Sequence, residues 1–480
     1  MKRNNPGKML AIAAATLLSA PAFAGNTFFD LGDLVVTVEG NGVVGGTGSY
    51  TDNQASPFTL FQYSINGTSS ASYVNSLVLP QIASNGNFAV SAEYGSSSEG
   101  GIQLSGNGQY LTVMGYGVNA AAFNANPFAY GNNVALAQSN SLTGQSTAAV
   151  PRVVVTIDAS GNVNSSTALY NVFNGNNPRS VYSSTGNTFY VSGQGTSGDN
   201  TGGVFYTTLG SHSATAITGL DTSAGTASQD TRNVQIYNGQ LYVSTDTKGG
   251  SNNARDFVGT LGTAGSPPTS LANNGKGPTQ LTGFGTSAAN GKVTITAATT
   301  NGINSANQQI NLSPESFYFA NASTLYVADS GSPKNNSGST ALGDGGLQKW
   351  VNSKADGSGT WSLAYTLAAG LNLKANTATS GTTGLLGLTG KVVNGQVELF
   401  ATNYTVGDTD KTYLFGITDT LSATTKANGE SFSLLATAPS DSNFKGVSFA
   451  PVSAVPEPST YAMLGLGLIS LFLFKRKQSS

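Results

Sequence analysis

No cysteine occurs in the 480 residues, and there is a single histidine. The first absence removes disulfides, thiolate nucleophiles and thiolate metal sites together. The second rules out imidazole metal clusters and leaves the loop-like triplet Ser211-His212-Ser213 as the one place for histidine chemistry. Charge is also scarce, at 9% of the chain. Without Lys2, Arg3 and Lys8 near the start and Lys475, Arg476 and Lys477 near the end, 15 of the 21 basic residues remain; without Glu457, 22 of the 23 acidic ones remain, a net of −7 for the body of the chain. Phosphate backbones are bound by clustered basic residues, so this balance argues against nucleic acid as a partner.

Glycine is abundant at 61 residues, and 22 Phe with 19 Tyr supply large side chains for a core. Disordered chains are poor in aromatic and β-branched residues, and this one is not. Short runs such as Leu34-Val35-Val36-Thr37-Val38 and Arg152-Val153-Val154-Val155-Thr156-Ile157 read as strands. They are bounded by Asn-Gly, Ser-Gly and Asp-Gly turns, and helical periodicity is almost absent. The predicted class is all-β.

A repeat underlies the pattern. Arg232 to Ser244 reads as strand, Asn238-Gly239 turn, strand, and related units follow Arg179 and Glu315. Looser copies begin near Gly101 and Gly384, and Phe444-Lys445-Gly446-Val447-Ser448-Phe449 resembles the first strand of a unit cut off before its hairpin. Such spacing suits four-stranded blades with variable outer loops. The expected architecture is a β-propeller of six blades, with seven kept open, closed by pairing strands from residues 33–38, 58–65 and 74–79 with the truncated last unit. A parallel β-helix or a two-sheet sandwich is the alternative. The strand pattern is loosely similar to bacterial propellers and carries no full family motif.

In such a ring the residue before the first apolar position of each unit lies near the mouth of the channel. Arg179, Arg232, Glu315 and Lys445 hold that place. Two forked guanidiniums and an ammonium beside one carboxylate could clamp an acidic sugar or another small anion; the competing reading is a set of structural ion pairs closing the channel. Six Glu lie in the body (Glu39, Glu93, Glu99, Glu315, Glu398 and Glu430), and no pair stands out as catalytic. Asp408-Thr409-Asp410, Asp344-Gly345-Gly346 and Asp199-Asn200 lack the ligand spacing of a calcium loop, so neither a metal nor a cofactor is expected. Trp350 and Trp361 flank a turn at Asp356-Gly357-Ser358-Gly359 and read as core or cross-strand residues more readily than as a sugar platform.

The two ends carry addresses. Lys2, Arg3 and Lys8 precede an apolar run from Met9 to Leu18, and Ala22-Phe23-Ala24 presents small residues at signal-peptidase positions, so cleavage is expected after Ala24. At the other end Val455-Pro456-Glu457-Pro458-Ser459 is followed by an apolar stretch from Tyr461 to Phe474 and then by Lys475-Arg476-Lys477. The prolines keep the first segment extended. The apolar stretch is a short membrane anchor, and the basic end holds on the cytoplasmic side. In this order the parts resemble the PEP-CTERM sorting signal of Gram-negative bacteria. The resemblance implies processing by an exosortase, transient inner-membrane anchoring, and release to the surface or medium, often in bacteria that make exopolysaccharide and biofilm. It implies nothing about activity. The expected division is a signal peptide at 1–24, a propeller body at 25–454 and a sorting segment at 455–480.

Two functions remain open from sequence. One is a non-catalytic surface or matrix protein whose propeller binds polysaccharide or another partner; the other is a secreted polysaccharide lyase or glycoside hydrolase acting at the channel mouth.

Overall fold

The computed structural model describes residues 27–42, 50–219, 230–246, 257–275, 277–284, 292–294, 309–331, 345–374, 382–405, 407 and 409–453. The expected signal segment, with Ala22 and Ala24, and the expected sorting segment, from Val455 through Pro456, Glu457, Pro458 and Ser459 to Lys475, Arg476 and Lys477, lie outside the described residues. Among the described residues no helix is long and apolar enough to cross a membrane.

The all-β expectation holds. The chain begins with β1 (Leu34–Gly40), β2 (Ala55–Asn66), β3 (Ser70–Val78), β4 (Ser91–Glu93), β5 (Gln103–Leu104) and β6 (Tyr110–Tyr116). A helix of six residues, α1 (Ala120–Ala125), precedes β7 (Arg152–Asp158) and β8 (Val163–Leu169). One four-stranded sheet then comprises β9 (Pro178–Tyr182), β10 (Thr188–Gly193), β11 (Gly203–Thr208) and β12 (Thr215–Ala216). A second comprises β13 (Thr231–Tyr237), β14 (Gln240–Thr245), β15 (Phe257–Leu261) and β16 (Thr279–Gln280). After a ribbon of β17 (Lys292–Thr294) and β18 (Gln309–Asn311) comes a third, of β19 (Pro314–Asn321), β20 (Thr324–Asp329), β21 (Gly346–Asn352) and β22 (Trp361–Leu367). The fourth has β23 (Thr382–Val393), β24 (Gln396–Thr405), β25 (Tyr413–Thr420) and β26 (Ser433–Thr437), and β27 (Ser442–Phe449) ends the described strands.

The arrangement is propeller-like, with four separate four-stranded blades. Six blades were favoured, with seven kept open, and this count is corrected to four. The strands of the first and last units join in one nine-stranded sheet, ordered β27-β1-β2-β4-β6-β7-β8, with β3 on β2 and β5 on β6. The physical reason is the length of β2. Its start, Ala55 to Pro57, pairs with β4, and Ser91 of β4 in turn pairs with Tyr116 of β6, so a short strand bridges what would otherwise be two sheets. Within this sheet β1 pairs antiparallel with β27, Leu34 opposite Phe449 and Gly40 opposite Ser442. The first and last described strands therefore meet.

Local chemistry explains the hairpins. Asn238-Gly239 joins β13 to β14 with φ of 46° and 75°, and Asn394-Gly395 joins β23 to β24 with 51° and 77°. Both residues of a type I′ turn need positive φ, which asparagine tolerates and glycine adopts freely.

The core lies between neighbouring sheets. Tyr326, Leu347 and Tyr365 pack on Leu385, Leu399 and Phe415, Phe257 and Val258 on Phe317, Trp350 and Trp361, and Tyr190 and Val204 on Val234 and Leu241. Val154 and Leu169 face Val181 and Phe189. Phe400 and Leu414 meet Leu34, Val36, Phe61 and Phe444. Both tryptophans are buried, and Trp350 stacks on Phe284 with ring centroids 3.9 Å apart. They are core residues. His212 is an exposed loop residue whose ring stacks on Tyr170.

Candidate functional site

The innermost strands touch in a closed succession, β5 to β9, β9 to β13, β13 to β19, β19 to β23, β23 to β27 and β27 back to β5. This contact brings Arg179, Arg232, Glu315 and Lys445 together. All four line one central cavity, together with Glu99 and Asn233. The cavity is narrow, with a volume of about 40 Å³. A water needs about 10–15 Å³ of such space, so this holds very few molecules.

The expected mouth residues are engaged with one another and with acids that sequence reading did not single out. Arg179 donates from Nη1 to Asp230 Oδ1 and to the Thr231 carbonyl at 3.1 Å, and from Nη2 to Gln194 Oε1 at 2.8 Å. Arg232 sits between three carboxylates: Glu315 Oε2 at 3.4 Å, Asp246 Oδ2 at 3.3 Å and Asp230 Oδ1 at 3.9 Å. Glu315 also accepts from Ser330 Oγ at 2.9 Å. Lys445 Nζ lies 3.4 Å from Glu39 Oε2 and donates to the Ser96 carbonyl. Arg179, Glu315 and Lys445 are buried, and Arg232 is 13% exposed. Asp230 was legible as a partner only in hindsight, two positions before Arg232 on the approach to β13.

Burial and pairing compete at each charge. For Arg232 burial opposes ionisation, but Glu315, Asp246 and Asp230 outweigh it and hold the pKa above the ordinary arginine value. Arg179 goes the other way: burial first, and then repulsion from Arg232, lower it. The difference follows from acid count, since Arg232 contacts three carboxylates and Arg179 one.

Beside the cavity is a group that the sequence did not disclose. Glu39 on β1, Glu93 at the end of β4 and Glu99 in the loop that follows β4 influence one another's ionisation, all buried. Burial pushes Glu39 well above the carboxylate range, and Lys445 offsets this in part. Burial likewise raises Glu93 and Glu99. Glu99 accepts from Tyr116 Oη at 2.6 Å, Asn177 Nδ2 at 3.0 Å and the Glu93 amide at 2.7 Å. Glu93 accepts from the Ala137 amide. Nearby Arg152 is fully buried and donates to the Val150, Ala137, Ser139, Phe173 and Asn176 carbonyls while its guanidinium lies 4.8 Å from the Tyr116 ring centroid. Among the described residues no group of three or more acidic or histidine side chains is arranged to hold a metal ion.

A second buried charge group lies between the third and fourth blades. Lys349 and Asp419 pair at 2.9 Å, and Asp419 also accepts from Tyr365 Oη at 2.7 Å and from Tyr326 Oη. Glu430 hydrogen-bonds to the same carboxylate.

Residues 454–477 match the PEP-CTERM protein-sorting motif. The motif implies export, processing by an exosortase, and a surface or extracellular location. No curated protein matches the chain.

Proposed function

We propose that this is a non-catalytic component of the cell surface or extracellular matrix, exported through a signal peptide at 1–24, with its body at 25–454 and its sorting segment at 455–480. Signal peptidase and exosortase process it, the apolar stretch of the sorting segment anchors it briefly in the inner membrane, and the body then meets extracellular polysaccharide. A role in exopolysaccharide or biofilm follows from that location.

One observation carries the non-catalytic reading: the charges at the centre are consumed by each other. Arg179, Arg232, Glu315 and Lys445 spend their hydrogen bonds and charge inside the fold, around a cavity with space for very few water molecules. Catalytic carboxylates in sugar hydrolysis need a ligand between them and freedom to exchange a proton. Glu99 is committed to Tyr116, Asn177 and the Glu93 amide, and Glu315 to Arg232 and Ser330. Under this reading the charged residues hold the channel shut, in place of the anion clamp that their sequence positions also allowed.

Two measurements test the proposal. Replacing Pro456, Glu457 and Pro458 by alanine leaves full-length protein in the membrane fraction, and unchanged release would remove the sorting half. Incubating the released protein with the host's own extracellular polymers gives no shortened chains by size-exclusion chromatography; the appearance of unsaturated or reducing ends would establish the lyase or hydrolase instead.

A further inference from the structure

A cleft on the rim of the ring is built differently from the central cavity. It has a volume of about 420 Å³ and is lined only by Asn, Gln, Ser, Thr and Gly. That size falls within the range of small-ligand sites. Its walls come from the long connection between β6 and β7, the loop between β8 and β9, and the loop between β10 and β11. Consecutive antiparallel strands reverse direction, so all three connections emerge at the end of the ring where β9 begins, at Pro178 beside Arg179. The cleft therefore lies at the end of the ring that carries Arg179.

One wall is held in place by the fold. Asn174 accepts from the Ser141 amide at 3.0 Å and donates to Asp199 Oδ2 at 3.0 Å, while its own amide donates to Thr201 Oγ1 at 3.0 Å. The Thr196 amide and hydroxyl both donate to the Asn174 carbonyl, at 2.9 Å and 2.8 Å. Asp199 stands behind this wall with its carboxylate committed to Asn174 and Thr201. The facing wall is uncommitted: among the described residues no side-chain hydrogen bond is made by Asn132, Gln145, Ser146 or Thr147.

The chemistry narrows the occupant. A lining without a cationic side chain, with the Asp199 carboxylate behind one wall, offers no compensating charge to a phosphate, a sulfate or a uronic acid, and a lining without aliphatic or aromatic side chains offers no apolar surface to a lipid. Amides carry a donor and an acceptor side by side, and hydroxyls do both, which complements the neighbouring hydroxyls of a sugar ring. We propose that this cleft is a binding site for a neutral polyhydroxylated glycan, held by the free amides and hydroxyls of residues 132 and 145–147 against the fixed wall at Asn174. This deepens the reading of an exported binding body by naming the ligand class and by moving the site from the channel to the rim.

Native affinity electrophoresis of the full chain in mild detergent tests it, in gels containing dextran, mannan, galactan or xylan, with alginate as the acidic control. The expected result is retardation by at least one neutral polymer and none by alginate. The double variant Asn132→Ala/Gln145→Ala should weaken that retardation about tenfold, since each lost hydrogen bond is worth a few-fold. Both side chains are exposed, and matching circular dichroism and melting curves establish that the variant is folded. Migration unaffected by all four neutral polymers, retardation by alginate alone, or full retention of binding in the double variant would overturn the proposal. The assay does not depend on secretion, so loss of export and loss of the cleft are separate outcomes.

Discussion

Glu39 on β1 and Lys445 on β27 face each other at 3.4 Å across the seam where the two ends of the described chain pair. Both are buried, Glu39 completely. Neither Glu39 oxygen has a hydrogen-bond partner among the described residues, so this lysine is the main polar counterweight to that carboxyl.

Lys445→Met should therefore cost about 3 kcal/mol, the scale for removing one member of a buried pair. Glu39→Gln in the same background should recover part of that loss, because the carboxyl left behind is the source of the penalty. Urea unfolding of the three proteins checks this, and equal stability of wild type and Lys445→Met would show that the seam is held by strand pairing and packing alone.

Arg232→Met should be more damaging than Arg179→Met. The first removes the cation shared by Glu315 and Asp246 and leaves Asp230 with Arg179, and the second leaves Arg232 still beside Asp230. A loss of about 3–5 kcal/mol is expected for Arg232→Met. Melting curves of the two variants give the order, and the reverse order would mean that Arg179 is the stronger element of the network.

Glu430 sets a pH dependence between the third and fourth blades. Burial first, and then its hydrogen bond to Asp419, push it up to about 7 from an ordinary 4.5. A carboxyl with a raised folded pKa keeps its proton longer in the native state than in the unfolded chain. Its contribution is flat below about pH 4.5, declines as the unfolded chain ionises, and levels off above about pH 7. Glu430→Gln should flatten that decline in stability. Denaturant midpoints measured from pH 4 to pH 8 decide it, and parallel profiles for wild type and variant would place the proton elsewhere.

Two glycines separate conformational from steric cost. Gly395 has φ of 77° and open space around a would-be Cβ, so Gly395→Ala should cost about 1 kcal/mol through backbone strain alone. At Gly384 an added Cβ would lie 2.1 Å from the Asp329 carbonyl oxygen, where the first strand of the fourth blade crosses its neighbour. Gly384→Ala should cost more than the overpacking scale of about 1–3 kcal/mol that yielding side chains show, because backbone has to shift. Comparable midpoints for the two variants would contradict this account.

Much of the fold was legible because its signals are local. β-Branched runs predicted strands, and Asn238-Gly239 and Asn394-Gly395 predicted turns whose backbone angles those residues adopt. The strand truncated after Phe449 predicted pairing with the N-terminal end, and β1 lies against β27. The number of separate blades was not legible. It depends on a bridge of three residues, β4, whose partners Ala55–Pro57 and Tyr116 are distant in sequence. Convergence of Arg179, Arg232, Glu315 and Lys445 could be read from their equivalent places in the repeat, whereas the acids that occupy them could not. Asp230, Asp246 and Glu39 stand in different contexts with no shared spacing.

By itself the sequence determined the strand class, the turns, the repeat and the sorting address, since each rests on the chemistry of neighbouring residues. Only the tertiary structure decided that the central charges neutralise one another, that Glu39, Glu93 and Glu99 are buried as one group, and that the uncommitted polar side chains lie on the rim. These depend on which loops and strand ends meet in space, and electrostatic energy depends on distance in space.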